Sequence, residues 1–465
     1  MKRLLTSTLV PLVAALLLAG CASTSTFVPA AAPAAPSAFK EADGRWATLS
    51  PAPAIEQGRW WTVFADPVLD DLVQRADAGN TSIQRAAARL TQARALLQAA
   101  DAERLPRVGA SAGASRGNRA TPGSLQPVTV ASAGIGASWE PDLFGRLAQA
   151  RNAAALDAQS REALLQGTRL LVQSDVAQAY FGLRALDDER ALLRETVAAF
   201  RDTLRLTERR FAAGDVAELD LARVQTELAA TQAQALALDR SRAQLEHALA
   251  VLLGEAPSGF ALAEAPWHGA LPTVPAGIPS QVLARRPDVA AAYGSMQAAQ
   301  QRVGVARSAW WPDLALTADG GFAATDLADV VKWSARSWGI GALLSLPLFD
   351  GGRREARVQD AEGAWDAAAA GWREQVLVAL QDVEDQLAAL RLLRGQAGLQ
   401  TQAVDAAARA TVLSNSRYRN GLVSQLELLD ARRSELANRR QAVQVRAAQY
   451  QATVGLIRAL GGGWG

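Results

Sequence analysis

The sequence predicts a mainly α-helical protein with a smaller β part, built as one unit repeated twice. Three observations carry this. The chain has 19 prolines, yet none between Pro141 and Pro257 or after Pro347. That leaves two stretches of more than 110 residues in which helices can run unbroken, since proline removes a helix hydrogen bond and clashes with the preceding turn. Landmarks recur in the same order at a nearly fixed offset. Between the helical stretches lie four segments of small and apolar residues with a period of two.

Composition narrows the function. The 465 residues are 49% hydrophobic and carry 48 Lys+Arg against 46 Asp+Glu. A large core is feasible, and the near-zero charge argues against nucleic acid as a partner. One cysteine and two histidines, His247 and His268, exclude a disulfide framework and leave little for metal or acid–base chemistry. No cofactor, metal or enzymatic activity is expected, and no catalytic motif is present. Gly351-Gly352 lacks the Lys-Ser/Thr of a phosphate loop. At about 150 residues per domain the length alone would suggest three domains; the repeat replaces that count with one duplicated unit.

Residues 1–20 read as a secretory signal, with Lys2 and Arg3 followed by the apolar run Leu4–Leu18. The run is too short for a good membrane-spanning helix. Leu18-Ala19-Gly20-Cys21 has the form of a lipobox, and Cys21 is the only cysteine. Acylation of Cys21 would tether the mature chain by its acyl chains. Without Lys2 and Arg3 the cations fall to 46, equal to the acids. Residues 21–60, rich in Ala, Pro, Ser and Thr, are expected to be a flexible tether. The ordered part begins at Trp60-Trp61 and Phe64.

The repeat is read from its landmarks. Ala100 and Pro106 match Ala306 and Pro312 at an offset of 206. Arg210-Phe211, Gly214 and Leu219-Asp220-Leu221 match Arg417-Tyr418, Gly421 and Leu426-Glu427-Leu428 at 207. Asp175-Val176 and Leu183-Arg184 recur as Asp382-Val383 and Leu390-Arg391. The first repeat is assigned to 61–256, a linker to 257–279 and the second repeat to 280–465. Each holds a helical segment (67–104 or 280–310), a hairpin (107–139 or 313–349), a 66-residue helix (145–210 or 351–416) and a further helix (215–254 or 422–460). Each long helix would measure about 100 Å at ~1.5 Å per residue. Gly214 and Gly421 suit the left-handed backbone that ends a helix.

Beyond each turn the apolar period is 3.5. Leu221, Val224, Leu228, Ala235, Leu238, Leu245, Leu249 and Leu252 hold the seam, interrupted by Thr231 and Arg242. The second copy has Arg433 and Arg440 in two such slots. This heptad predicts supercoiled packing, and a plain four-helix bundle would show the same period. Asp187-Asp188-Glu189 reads as a solvated stretch of helix.

The hairpin strands are nearly free of charge. Residues 108–115 and 128–139 carry none, and 337–349 place Trp338, Ile340, Ala342, Leu344, Leu346 and Leu348 on one face. Nine to eleven residues suit a membrane strand, while four strands cannot close a barrel and open edges are not tolerated in lipid. Three chains would supply 12 strands. A pair of soluble hairpins is the alternative.

In this arrangement the chain resembles the outer-membrane efflux channels, the TolC-like and OprM-like family, in its lipoprotein branch. The resemblance rests on Arg285-Arg286-Pro287-Asp288, Ala306-Arg307 with Pro312, Leu346-Pro347-Leu348-Phe349-Asp350-Gly351-Gly352, and the twin Arg-(Phe/Tyr)-x-x-Gly turns. It implies a homotrimer whose 12-stranded barrel in outer-membrane lipid continues into a periplasmic α-helical barrel. It implies docking on a periplasmic adaptor and an inner-membrane pump, of the RND type, and passive export of drugs or other small solutes. The turns, with Arg210, Phe211, Gly214, Arg417 and Gly421, would form the adaptor-facing tip. The family's aperture tyrosine falls on Tyr418, and its acids on Glu427 and Asp430, with Asp220 in the first copy. A basic partner common in that lock falls on Val423, which leaves Arg419 or plain packing. A type I protein secretion channel and a lipid-anchored coiled-coil scaffold without a pore are the other readings.

Overall fold

The structure is a computed structural model that describes residues 36–42, 58–118, 127–275, 277 and 279–462. Cys21, the signal segment and most of the expected tether lie outside the described residues. In chain order the described elements are α1 (Pro67–Gly79), α2 (Thr81–Ala102), β1 (Arg107–Asn118), β2 (Pro127–Trp139), α3 (Arg146–Ala212), α4 (Glu218–Leu253), α5 (Pro279–Arg285), α6 (Pro287–Ser308), β3 (Asp313–Ala324), β4 (Arg336–Ser345), α7 (Arg353–Arg419) and α8 (Gln425–Ala459). Each copy thus has two shorter helices, a strand pair, a helix of 67 residues and one of 35 or 36. No described helix is long and apolar enough to cross a membrane.

Both expected leading helices are broken, and at equivalent points. Asn80 has an extended backbone, and its Oδ1 accepts from the backbone N–H groups of Ser82 (2.8 Å) and Ile83 (3.2 Å). It is the N-cap of α2, which ends α1 one residue earlier. In the second copy Pro287 opens α6 and disfavours helical backbone at Arg286. The two breakers also anchor alike. Asn80 Nδ2 donates to the Leu252 carbonyl (2.7 Å), and Arg286 Nη1 to the carbonyl of Ala459 (3.2 Å), 207 residues on. An upstream aspartate caps each long helix. Asp142 accepts from the N–H groups of Leu147 and Ala148, and Asp350 from those of Gly352 and Arg354.

The chain divides into two compact units. The first is formed by 90–161 and 291–373. At its centre is one antiparallel sheet in the order β1-β2-β3-β4. The register places Ala133 opposite Ala112 and Phe322, Ile135 opposite Ala110 and Gly320, and Ala318 opposite Ile340. One face therefore collects Val108, Ile135, Leu316, Phe322, Trp338, Ile340 and Leu344. The other collects Ser111, Ser132, Ser138, Thr317 and a row of glycines. Gly321 belongs to a close approach of β2 and β3, since a Cβ there would lie 2.4 Å from the Ala133 carbonyl oxygen. Among the described residues the outer edges of β1 and β4 are unpaired.

The second unit is formed by 34–89, 162–290 and 374–465. Its aromatic core joins Phe64, Phe181, Trp267 and Tyr450, with ring centroids 4.7–6.0 Å apart. Trp267 brings the linker into this core. Residues 36–42, expected within the flexible tether, are seated on α7 instead. Phe39 is buried, and the N–H groups of Lys40 and Glu41 donate to the Glu384 carboxylate at 2.7 and 2.9 Å.

The Asp187–Glu189 stretch is the clearest reversal of expectation. Asp187 and Glu189 are buried. Asp187 accepts from Arg242 Nε at 2.7 Å and from Arg184 Nη1 at 3.3 Å. Those arginines also grip the linker, Arg184 through the Ala263 carbonyl (2.8 Å) and Arg242 through that of Leu262 (2.6 Å). Glu189 accepts from Arg440 Nε at 3.0 Å. The acids are buried because arginines from other helices neutralise them, which a single-helix reading cannot see. His247 is exposed, as expected.

Candidate functional site

The two helix turns of the second unit carry the residues assigned to the aperture and tip. Gly214 and Gly421 have φ of 78° and 70°. At each, the glycine N–H donates to a carbonyl three residues back and the next N–H to one five back: Gly214 to Phe211 and Asp215 to Arg210, then Gly421 to Tyr418 and Leu422 to Arg417. This is the Schellman arrangement, which satisfies carbonyls at the helix end and needs a left-handed residue. The following helices begin with Glu218 and Asp220, or with Glu427, whose charges suit a helix N-terminus. Ser424 accepts from the Glu427 N–H, whereas its counterpart Ala217 offers no side-chain cap.

Beneath the turns, α3, α4 and α8 share a small core of Phe200, Val224 and Leu429, with Leu204 and Leu228 packed against it. Polar ties between the two copies surround it. Gln425 Nε2 donates to Thr207 Oγ1 at 2.9 Å, where Thr207 is fully buried. Arg432 Nη1 donates to Thr203 Oγ1 at 2.7 Å, and burial pulls its pKa below the ordinary arginine value. Arg433 pairs with Glu227 of α4, and this arginine holds the Glu227 carboxyl below its usual range.

The expected aperture residues fall into two groups. Tyr418 is buried, with Arg210 Nη1 3.3 Å from its hydroxyl and Arg210 Cζ 5.4 Å from the ring centroid. That joins the turn of one copy to the turn of the other. Glu427, Asp430 and Asp220 stay near the surface, each beside an arginine of this chain: Arg417 at 3.9 Å, Arg433 at 3.2 Å and Arg223 at 3.6 Å. The bases beside Glu427 and Asp430 are thus Arg417 and Arg433, while Val423 offers no charge. The Arg419 side chain forms no hydrogen bond or ion pair among the described residues. Phe211 is exposed beside the first turn. The sequence reading missed Thr207, Glu227, Gln425 and Arg432. The signal for Glu227 was present, since Arg433 occupies a core slot of the heptad and must find an acid.

The outer membrane efflux protein family model matches residues 72–255 and 278–462, well over half the chain, once for each repeat. The chain belongs to this family. It is similar to the pyoverdine export outer membrane protein OpmQ of Pseudomonas aeruginosa, with 34% identity over 97% of this chain and 96% of the relative. It is 30% identical to the outer membrane protein OprJ of the same species, over 97% of this chain and 95% of that one. Among solved structures the outer-membrane channel OprN superposes with a TM-score of 0.86, at 30% identity, covering 94% of this chain and 99% of that one. The efflux channel is mainly α-helical with a β membrane part: it has a trimeric barrel of 12 strands, four from each chain, and a long α-helical barrel. It works in the outer membrane as an exit channel for efflux.

Proposed function

We propose that this channel is the passive outer duct of a tripartite system, with a periplasmic adaptor and an RND-type inner-membrane pump supplying the energy. Cys21 carries the acyl anchor. The cargo is small solutes, in keeping with pyoverdine export by a relative. The channel does no chemistry on that cargo. The turns at Gly214 and Gly421, with Arg210, Phe211 and Arg417, meet the adaptor. Tyr418, Glu427, Asp430 and Asp220 restrict the aperture between them.

The observation that supports a restricted tip is the set of ties joining the two copies there: Arg210 with Tyr418, Gln425 with Thr207, and Arg433 with Glu227. They hold two helical hairpins together that must part if the aperture is to widen. Replacing both Glu427 and Asp430 with alanine should raise conductance in a planar bilayer; unchanged conductance counts against a restriction at these residues. A deletion strain should become sensitive to exported solutes, and the adaptor and pump should co-purify with the channel. A chain carrying Cys21→Ser should incorporate no labelled palmitate.

A further inference from the structure

The sheet carries a charge that no part of the aperture explains. β3 places Asp319 as the seventh of its 12 residues, midway along the strand. It sits on the sheet face opposite Ile135, Leu316, Trp338 and Ile340. Its register partners are glycines on both sides, Gly136 in β2 and Gly339 in β4. The carboxylate leans over β4, so that a Cβ at Gly339 would lie 2.9 Å from Oδ1 and 3.3 Å from Oδ2. Any larger residue at 339 would displace it. Asp319 is exposed and has no hydrogen-bond or ion-pair partner among the described residues. The other charges on this face, Arg107 and Asp313, lie at strand ends.

We infer that Asp319 lines the lumen of the barrel at mid-depth, and that three copies form a carboxylate ring which makes the barrel prefer cations over anions. This rests on the trimeric-barrel fold and concerns a region separate from the helix turns. A free carboxylate is costly on a lipid-facing wall, and the opposite face supplies the apolar band that lipid requires. The lumen is therefore the wetted side. Twelve strands about 4.8 Å apart and tilted about 45° enclose a backbone radius of roughly 13 Å, so each carboxylate lies on the order of 10 Å from the axis. At that distance in water, three charges screened over a Debye length of about 10 Å raise the local cation concentration about twofold and lower the anion concentration about twofold at 0.1 M salt, so the ion ratio changes about fivefold. The change is larger at 0.01 M, where screening reaches about 30 Å. Glycines at 136 and 339 leave the carboxylate without a donor that would neutralise it.

The test measures reversal potentials of the purified full-length channel in planar bilayers under a potassium chloride gradient. The background is Glu427→Ala with Asp430→Ala, so that aperture acids do not set the selectivity. Asp319→Asn should lower the cation-to-anion permeability ratio about fivefold at 0.1 M salt and further at 0.01 M. Asp319→Lys should move it past neutrality towards anions. Ratios unchanged in both variants overturn the inference and leave the channel reading intact, whereas failure of the unsubstituted chain to conduct at all overturns both. A second measurement uses Asp319→Cys and Ile340→Cys in outer-membrane vesicles, with the unaltered chain as the control for Cys21. A water-soluble anionic thiol reagent should label position 319 and spare 340. Equal labelling, or no labelling at 319, places the residue off the lumen and sinks the proposal.

Discussion

Removing the Asp187 carboxylate should loosen the grip of the helices on the linker by about 3 kcal/mol, near the lower end of the range for breaking a buried ion pair. The perturbation is Asp187→Ala. The carboxylate is only 3% exposed and faces Arg184 and Arg242, themselves 5% and 10% exposed. At the 2.7 Å separation from Arg242, the pair attraction is about 6 kcal/mol at an effective dielectric near 20. Much of that is offset by the desolvation of the acid, which the substitution removes. The orphaned cations are not wholly stranded. Arg242 keeps Glu246 at 3.1 Å and the Leu262 carbonyl at 2.6 Å, and Arg184 keeps the Ala263 carbonyl at 2.8 Å. The loss therefore falls short of that for a fully abandoned buried charge. The assay is native-state hydrogen exchange of amides in residues 257–275, which reads the free energy of local opening. Asp202→Ala serves as the reference, because its pair with Arg205 is exposed on both sides and should change nothing beyond about 0.5 kcal/mol. If Asp187→Ala shifts linker opening by no more than that reference, the buried network does not hold the linker and the reasoning fails.

Asn80→Ala removes both the N-cap of α2 and the bond to the Leu252 carbonyl, and should destabilise that end of the unit by about 2 kcal/mol in urea unfolding. Gly254→Ala should be worse, because the residue has φ of 77° and its Cβ would sit 2.2 Å from the Gly79 carbonyl oxygen; trimer yield on a native gel reports the loss. Acid should also affect the linker. Arg194 and Arg190 hold the Glu264 carboxyl down to about 2, so its contribution is complete above its ordinary value of 4.5 and is lost as pH falls towards 2. Burial pushes Asp188 up, so its contribution runs the other way and weakens as pH rises. Exchange in residues 257–275 should rise between pH 5 and pH 3, and Glu264→Gln should flatten that rise.

Much of the fold was legible because long elements announce themselves. Proline-free stretches gave both 67-residue helices to within three residues at either end, and period two gave all four strands. The helix breaks were less visible. Asn80 ends α1 with its side chain, and a lone asparagine in a helical run is ordinary until its partners are known. Arg286-Pro287 did carry a breaking signal, since the residue before a proline avoids helical backbone. Asp187 and Glu189 were misread because burial of a charge depends on distant partners. Arg242 lies 55 residues from Asp187, and Arg440 lies 251 residues from Glu189. Between the long helices and their successors, the glycine turns followed from local chemistry, while the ties of Tyr418 to Arg210 and of Gln425 to Thr207 depend on how two copies pack.

Long helices with alanine-rich flanks have a weakness, which is that one can slide along another by a heptad and still bury an apolar seam. The three arginines in seam positions forbid it. Arg242 meets Asp187, Arg433 meets Glu227, and Arg440 meets Glu189. A slip of seven residues would carry each guanidinium about 10 Å past its acid and leave the buried acids Asp187 and Glu189 without their arginines. The pairs thus act as index marks, giving up some packing energy so that only one alignment of the staves is tolerated during folding. A chain with hydrophobic residues at all three positions would be expected to bundle readily and to assemble in mixed registers.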